Sequence, residues 1–206
     1  MEELIEIYNE CGEKTGQQVE RGIVHQKGLL HKAVCVWIMN SNYELLVQRR
    51  SPKVAFPNML DISFSGHITA GESAIEAIKR EGQEELGLII NPQNLRYLFT
   101  CREFGSLHEY IENEIDEVFL YQDDIQISDC RFSDNEVSSI EYISVDKFRD
   151  MIENRACEIM PYESHYYCLM ASLKGYFLKL SEEVGELTQA IRKGLKALDS
   201  KKLREP

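Results

Sequence analysis

The chain has 206 residues, of which 43% are hydrophobic and 28% charged, and its formal net charge is -12 at pH 7. This balance is typical of a globular protein that is long enough to bury a full core without disulfide or metal crosslinks. The negative charge repels phosphate backbones, which excludes nucleic acid as the main partner. It suits a protein that gathers divalent cations, although an ordinary acidic surface explains the overall charge more simply.

The cysteines and the apolar segments indicate the cellular compartment of the protein. The six cysteines lie at positions 11, 35, 101, 130, 157 and 168, with no CxxC pair. A structural zinc site is therefore not expected, and the thiols are expected to be reduced. The acidic N-terminus has no apolar core of a signal peptide, and no apolar run is as long as a membrane span. We predict a cytoplasmic protein that binds neither nucleic acid nor membrane.

Apolar patterning predicts strands in the first quarter of the chain. Residues 4–8 favour an edge strand, and 9–16, with two glycines, favour a turn. Residues 31–39 are apolar on both alternating faces, which predicts a strand buried on both sides. Residues 44–49 would form its hairpin partner, followed by an irregular loop over 52–57.

The middle of the chain predicts two helices and two strands. Residues 73–86 favour a helix, because Ser73 and Glu76 form a capping box and Gly87 suits the left-handed position after the last turn. Further elements are expected as strands over 96–101 and 110–121 and a short helix over 145–154.

The last fifth of the chain changes to helical periodicity. An apolar stripe at spacings of three and four predicts a long helix, with members Leu180, Val184, Leu187, Ile191, Leu195 and Leu198. A further helix is expected over 166–178. These patterns predict one domain over 1–158 and a helical C-terminal extension over 159–206. The stripe would pack on the first domain or on a second copy of the chain, as a homodimer.

A run of acidic residues carries the chemistry. Residues 66–88 read GHITAGESAIEAIKREGQEELGL. Glu81, Glu84 and Glu85 are three and four residues apart, so their side chains share one helical face. Carboxylates packed together repel one another unless a cation lies among them, and Mg²⁺ prefers such hard oxygen ligands. For three glutamates alone, an exposed acidic helix would be the simpler interpretation.

The spacing of the whole segment resembles the Nudix box, the signature of hydrolases that act on diphosphates linked to another group. The resemblance implies Mg²⁺, or Mn²⁺, held by Glu81, Glu84, Glu85 and the Gly66 carbonyl. One glutamate would act as the base. It also implies that Arg80 orients a glutamate by a bidentate pair and that Glu72 stabilises the loop or assists a metal. Gly82 departs from the pattern, which has an aliphatic residue there, and glycine in a helix costs about 1 kcal/mol relative to alanine.

The resemblance covers roughly residues 3–155 and is similar to the Nudix branch that includes isopentenyl-diphosphate isomerase. It implies an α/β fold, an α/β/α sandwich around a mixed sheet. That isomerase has a second metal site of histidines and glutamates. The residues that match it in kind are His25, His31, His67, Glu112 and Glu114. Ordinary surface or hydrogen-bonded histidines are the alternative.

Two departures favour hydrolysis over isomerisation. The isomerase has a catalytic cysteine at the position of Ser65, and a hydroxyl is a far weaker acid than a thiol. Isomerases also have a degraded Nudix helix, whereas this chain keeps the three glutamates.

Basic and aromatic residues near the second strand are candidates for substrate contact. By similarity, Arg50 and Lys53 would meet the diphosphate, and a solvated basic cluster is the alternative. Trp37 and Phe56 could stack on a base, although core packing is favoured for Trp37.

The sequence thus predicts a Mg²⁺-dependent hydrolase of a nucleoside diphosphate derivative or a similar organic diphosphate. Water would attack one phosphorus, and a phosphate-bearing group would depart. The alternatives are an enzyme like isopentenyl-diphosphate isomerase and a non-catalytic Nudix protein that senses nucleotides.

Overall fold

The computed structural model describes residues 3–54, 56–107, 110–132 and 136–202. Its strands are β1 (Leu4–Tyr8), β2 (Lys14–Glu20), β3 (His31–Met39), β4 (Glu44–Arg50), β5 (Leu60–Asp61), β6 (Phe64–His67), β7 (Leu95–Leu107), β8 (Tyr110–Gln122) and β9 (Val137–Ser144). Its α-helices are α1 (Arg21–Lys27), α2 (Ala74–Leu86), α3 (Val145–Glu153) and α4 (Glu163–Lys202). Among the described residues, no helix is both long and apolar enough to cross a membrane.

A mixed sheet organises the fold, as predicted. Strands β5, β4, β3, β8 and β7 are neighbours in that order, while β6 also pairs with β3 and β9 with β4. The β3–β8 pair is parallel and the other pairs are antiparallel. Strands β1 and β2 form a separate antiparallel pair. The mixed sheet with flanking helices confirms the predicted α/β class.

Strand β3 is covered on both faces, which explains its continuous apolar sequence. Val34 and Val36 lie in the core cluster that also contains Ile78 and Leu86 of α2. On the opposite face, the Trp37 ring lies 5.3 Å from that of Phe148 on α3. The prediction of a strand buried on both sides is therefore confirmed.

Several boundaries differ from the sequence-based prediction. The turn expected over 9–16 ends earlier, because β2 begins at Lys14, and β7 is longer than the expected 96–101. Strands β2, β5, β6 and β9 and helix α1 were not predicted. Most residues of β2 are exposed and polar, α1 has only seven residues, and β6 contains a glycine. These three elements therefore show no clear hydrophobic period in the sequence.

The C-terminal part is helical, but as one continuous helix rather than two. The chain divides into two compact units, residues 1–166 and 167–206. Within the second unit, two members of the apolar stripe, Val184 and Leu187, have exposed side chains. The other members of the apolar stripe, at 180, 191, 195 and 198, lie outside the described side chains. The domain boundary near 158 and the homodimer stay predictions.

Helix α2 has both predicted caps. The Ser73 side chain and the Glu76 carboxylate form the reciprocal capping box, and Gly87 has a φ of 70°. Gly82 is explained by its neighbour: a Cβ there would lie 2.8 Å from Ile90 Cγ1 and 3.3 Å from Phe64 Cζ. The Ile90 side chain fills the space that an aliphatic residue at 82 would need.

We expect Gly82→Val to lower the free energy of unfolding by about 1–3 kcal/mol, because the added atoms overpack the site against Ile90. The double variant Gly82→Val/Ile90→Ala should lose less free energy of unfolding than the sum of the losses in the two single variants, since the smaller alanine side chain leaves space for the valine. Urea unfolding of the four proteins measures this coupling. Strictly additive losses would contradict the packing explanation.

Candidate active site

A polar cavity of about 420 Å³ lies where β3, β6, β8 and the C-terminal half of α2 meet. The antiparallel register places Ser65, Gly66 and His67 of β6 beside Cys35, Val34 and Ala33 of β3. The sequence-predicted residues that line this polar cavity are Arg50, Gly66, His67, Arg80, Glu81, Glu84, Glu85, Glu112 and Glu114. The fold therefore brings the α2 glutamates together with most of the candidate second site.

Glu85 is the most deeply placed of the α2 carboxylates. Its Oε2 accepts a hydrogen bond from Gln48 Nε2 at 3.2 Å, and its Oε1 accepts one from the Ser65 backbone N–H at 3.2 Å. Burial raises the pKa of Glu85 well above its usual value, and the Glu81 charge adds to that effect. The carboxylate is fixed in orientation, but its hydrogen-bond partners among the described residues are neutral.

Glu81 lies against the backbone of Gly66. A Cβ at position 66 would come within 2.0 Å of Glu81 Cδ and Oε1, so only glycine leaves room for this carboxylate. Burial raises the pKa of Glu81, although its ion pair with Arg80 acts in the opposite direction. Glu84, whose side chain is 58% exposed, lies at the outer side of the polar cavity, with Oε2 3.4 Å from Arg80 Nη1.

Arg80 forms a bidentate pair with Glu72. Arg80 Nε donates to Glu72 Oε1 at 3.0 Å and Nη2 to Oε2 at 2.9 Å, while Nη2 also donates to the His67 carbonyl at 2.9 Å. Thr69 donates to the same Glu72 carboxylate from its backbone N–H and its hydroxyl. Burial opposes the charge of Glu72, but the hydrogen bonds from Arg80 and Thr69 lower its pKa. Both Glu72 oxygens are therefore engaged in holding the loop before α2, and Glu72 does not line the polar cavity.

Three histidines and one glutamate of the candidate second site lie close together. The side chains of His25, His31, His67 and Glu114 each offer a ligand atom, and these atoms all lie within 4.8 Å of one another. We call these four residues the histidine cluster. Glu112 is not part of it but lines the polar cavity nearby, two residues along β8 from Glu114.

The backbone sets the orientation of two imidazoles in the histidine cluster. His25 Nδ1 lies 3.2 Å from the Ile111 carbonyl, and His31 Nδ1 lies 2.9 Å from the Leu29 carbonyl. A carbonyl only accepts, so each Nδ1 is the donor in its contact, which leaves each Nε2 facing the interior of the cluster. Both Nε2 atoms point to the other cluster members: His25 Nε2 is 3.1 Å from His67 Nε2, and His31 Nε2 is 3.0 Å from Glu114 Oε1. Imidazoles that bind metals are typically oriented in this way.

The histidines of the cluster differ in their affinity for protons. Burial and the neighbouring His67 lower the pKa of His25 to about 4. Burial also opposes a charge on His67, but hydrogen bonds to Glu114 and Glu3 outweigh it and raise the pKa to about 9. Burial alone would raise the pKa of Glu114, yet hydrogen bonds from His31 and His67 hold it well below its usual range. One proton on His67 thus balances the Glu114 charge.

Carboxylates outnumber cationic groups along the polar cavity. Burial and the Glu114 charge raise the pKa of Glu112 to about 7 and the pKa of Asp116 well above its usual value. Asp116 Oδ1 and Gln48 Oε1 are buried and have no hydrogen-bond partner among the described residues. The acidic residues of the lining are Glu3, Glu81, Glu84, Glu85, Glu103, Glu112, Glu114, Asp116 and Glu136.

Of the four candidate substrate-contact residues, two line a cavity and two do not. Arg50 lines the polar cavity, where Nη1 lies 2.6 Å from Asp61 Oδ2, and Phe56 lines an adjoining chamber. Lys53 is exposed and lines neither space. Trp37 is fully buried and donates from Nε1 to His165 Nε2 at 3.0 Å, which agrees with core packing.

Sequence reasoning missed Gln48, Arg21, Glu3 and Asp116 as parts of the site. Gln48 directly follows the apolar residues 45–47 of β4, and this was a usable signal, since a buried glutamine needs a partner. The other three come to the cavity through tertiary contacts that no local pattern shows.

Comparison with known proteins agrees with this fold. The NUDIX domain model matches residues 29–162. The chain therefore belongs to the Nudix hydrolase family, whose members act on diphosphate-containing substrates and generally use divalent metals.

Three similar proteins illustrate the relationship. "Nudix hydrolase 3" of Arabidopsis thaliana is 32% identical over 168 residues, which cover 79% of this chain but only 22% of the Arabidopsis protein. "Isopentenyl-diphosphate Delta-isomerase" of Rhizobium rhizogenes is 30% identical over 83% of this chain and 81% of that protein. The crystal structure of DR0079 from Deinococcus radiodurans has a TM-score of 0.63 at 23% identity, over 80% of this chain and 98% of the other. The chain thus spans about a fifth of its Arabidopsis relative, and DR0079 supports the fold alone.

Gly66→Ala should reduce turnover of a diphosphate substrate at least about 100-fold, because the new methyl group would occupy the position of the Glu81 carboxylate. Ser65→Ala is the matched control, since Glu85 accepts from the backbone N–H of Ser65 and not from its side chain. Steady-state kinetics and thermal unfolding of both variants measure the effect. Equal activity in the two variants would contradict the close packing of Glu81 on Gly66.

Metal binding at the histidine cluster should strengthen by about tenfold per pH unit between about pH 6 and pH 8, because His67 must release the proton that its pKa of about 9 retains. His25, with a pKa of about 4, is already neutral there. Mn²⁺ titrations in a Glu81→Gln/Glu84→Gln/Glu85→Gln background, which removes the three α2 carboxylate ligands, isolate this cluster. An affinity independent of pH would show that His67 is not a ligand.

Proposed function

We propose that the chain is a Mg²⁺-dependent hydrolase that cleaves a diphosphate linkage in a nucleoside diphosphate derivative or a related organic diphosphate. The observation that carries the proposal is the convergence of Glu81, Glu84 and Glu85 on one polar cavity that also contains Arg50 and the edge of the histidine cluster. Contacts with Arg80, Gln48 and the Ser65 backbone hold these carboxylates in place.

The donor set suits divalent cations. A cavity with this excess of carboxylates would repel a diphosphate, so it can take such a substrate only if cations accompany it. The unpartnered Gln48 Oε1 beside Glu85 offers a further oxygen to a cation or to its water shell. Glu81, Glu84, Glu85 and the Gly66 carbonyl are hard oxygen donors, which Mg²⁺ or Mn²⁺ prefers.

A bound cation would supply charge neutralisation and a lower pKa for water at neutral pH. The protein groups have separate tasks. Glu85 is oriented by Gln48 and Ser65, and one of the α2 glutamates accepts a proton from the attacking water. Arg50 stabilises negative charge on the substrate phosphates. The Arg80–Glu72 pair keeps the loop before α2 in position, which favours the loop-stabilising role for Glu72.

The histidine cluster is proposed to hold a second cation. The Nε2 atoms of His25 and His31, a carboxylate oxygen of Glu114 and, after loss of its proton, a ring nitrogen of His67 form a mixed nitrogen and oxygen donor set. Glu112 lies outside this group, and we propose that it contacts substrate or cation-bound water rather than the ion itself.

Isomerisation of an isoprenoid diphosphate is the second candidate. It is supported by the Rhizobium relative, by the histidine cluster and by Cys35, which lies directly opposite Ser65 in the β3–β6 register and lines the same cavity. Burial raises the pKa of the Cys35 thiol well above its usual value, so it is a poor source of thiolate. The intact α2 glutamates therefore favour hydrolysis. A nucleotide sensor would bind without turnover.

Glu84→Gln and Glu85→Gln should each lower kcat by at least about 100-fold with little change in thermal stability, because each removes one negative ligand without changing side-chain size. Lys79→Gln, an exposed position on the same helix, is the matched control. The assay incubates each protein with Mg²⁺ and nucleotide sugars, dinucleoside polyphosphates, nucleoside diphosphates and isoprenoid diphosphates, and identifies products by mass.

Near-normal turnover in both glutamine variants would contradict the α2 metal site. A shifted double bond without release of phosphate would favour the isomerase, and tight nucleotide binding without any product would favour the sensor.

A further inference from the structure

Three buried side chains form a separate polar group in the wall of the polar cavity. They belong to Cys35 of β3, Asp116 of β8 and His165 of α4, and all three residues line the cavity. A side-chain sulfur, oxygen or nitrogen atom of each lies within 4.8 Å of those of the other two. We call these three residues the inner group. None of them belongs to the histidine cluster or to α2.

Such spacing is typical of a cation site, but Trp37 gives His165 a different role. The indole N–H of Trp37 donates to His165 Nε2 at 3.0 Å, and an indole nitrogen can only donate. Burial lowers the pKa of His165 to about 4, so the imidazole is neutral and has a single N–H. That hydrogen therefore lies on Nδ1. His165 has no lone pair left for a cation, and its Nδ1 is a hydrogen-bond donor.

The backbone of His165 is also held in place. Its N–H donates to the Glu103 carboxylate of β7. The Nδ1 atom lies 3.9 Å from Cys101 Sγ, and sulfur is a weak acceptor. An oxygen atom that enters the cavity is therefore a better partner for the Nδ1–H group than this thiol.

Asp116 supplies an acceptor close to this donor. Asp116 is only 3% exposed, and its Oδ1 has no hydrogen-bond partner in the part of the chain that the structure describes. The Cys35 thiol, a weak donor, interacts with the same carboxylate. A buried carboxylate oxygen without a donor is unfavourable, so this position favours a ligand group that donates.

We propose that the inner group binds an alcohol hydroxyl of the substrate, which accepts from His165 Nδ1 and donates to Asp116. An oxygen atom that makes two hydrogen bonds of about 2.8 Å at a tetrahedral angle separates its partners by about 4.6 Å. This separation agrees with the spacing of the inner group. The inference rests on the proposed function, because it assumes that the diphosphate occupies the same cavity.

The strand register places the inner group next to the histidine cluster. Asp116 lies two residues beyond Glu114 on β8, and its partner on β3, Ala33, pairs with His67 of β6. The organic part of a bound diphosphate is therefore within reach of the inner group. A purely aliphatic chain would cover Asp116 and His165 without satisfying either, so the organic part is expected to carry a hydroxyl.

The test compares ligands that differ in their hydroxyl groups. Methylene-bridged analogues of alkyl and ω-hydroxyalkyl diphosphates, in pairs of increasing chain length, cannot be hydrolysed, so calorimetry with Mg²⁺ measures binding separately from turnover. A further pair carries ribose or a cyclopentylmethyl group and distinguishes a sugar hydroxyl from that of a simple alcohol. The measured quantity is the affinity ratio within each pair.

The proteins compared are wild type, His165→Phe, Asp116→Leu, Trp37→Phe and the control Tyr166→Phe. The Tyr166 hydroxyl is buried next to His165 in sequence, has no hydrogen-bond partner among the described residues, and does not line the polar cavity. Loss of this hydroxyl therefore matches the other changes in kind without touching the inner group.

In wild type and Tyr166→Phe, at least one hydroxyl-bearing ligand should bind about tenfold more tightly than its apolar counterpart. This ratio should fall to within about twofold of unity in His165→Phe and Asp116→Leu, because each removes one partner of the hydroxyl. Trp37→Phe should give an intermediate ratio, since the His165 tautomer is no longer fixed. General damage to the fold would weaken both members of a pair and leave the ratio unchanged.

A ratio near unity for every pair in wild type, or the same ratio in His165→Phe as in wild type, would overturn the inference. So would a Co²⁺–thiolate absorption band that disappears in Cys35→Ser, because it would show that the inner group binds a cation. Failure of the proposed function is distinguishable. A hydroxyl preference without diphosphate cleavage would keep the inference and refute the hydrolase, whereas cleavage without that preference would do the reverse.

Discussion

Repulsion among buried carboxylates is the constraint on which the site depends. Nine acidic side chains line one cavity, and burial raises the pKa of several of them. The fold accommodates this crowding with a small number of specific contacts. Arg80 pairs with Glu72 and Glu81, His67 retains a proton beside Glu114, and Gln48 and a backbone N–H hold Glu85. Divalent cations would remove the remaining repulsion, so cation binding and substrate binding are expected to be coupled.

The same constraint explains residues that have no charge. Gly66 leaves room for the Glu81 carboxylate, which occupies the place where a side chain at position 66 would begin. The parallel β3–β8 pair aligns His31 with Glu114, and the antiparallel β3–β6 pair places His67 on the neighbouring strand. Sheet topology therefore assembles the histidine cluster from segments that are far apart in the sequence, while one helix supplies all three Nudix glutamates.

The parts of the site that were predictable from the sequence are those with a local period or cap. Ser73, Glu76 and Gly87 mark the ends of α2, and the spacing of Glu81, Glu84 and Glu85 fixes their common face. Gln48, Glu3 and Asp116 could not be assigned in this way, because their roles arise from strand pairing and from a segment that packs against β3. Strand β2 was missed since its exposed polar residues have no hydrophobic alternation, and Lys53 was proposed for substrate contact from a basic run whose loop directs it to solvent.

The central claim is that water attacks a phosphorus atom in this cavity. Its most direct test is turnover in ¹⁸O-labelled water with Mg²⁺, using the diphosphate that the protein cleaves or converts, followed by mass analysis of every product. The account predicts one ¹⁸O atom in a phosphate-bearing product for each bond broken, and no incorporation in Glu85→Gln. Conversion of a substrate without ¹⁸O in any phosphate would contradict hydrolysis at phosphorus and would identify the cavity as the site of a different reaction.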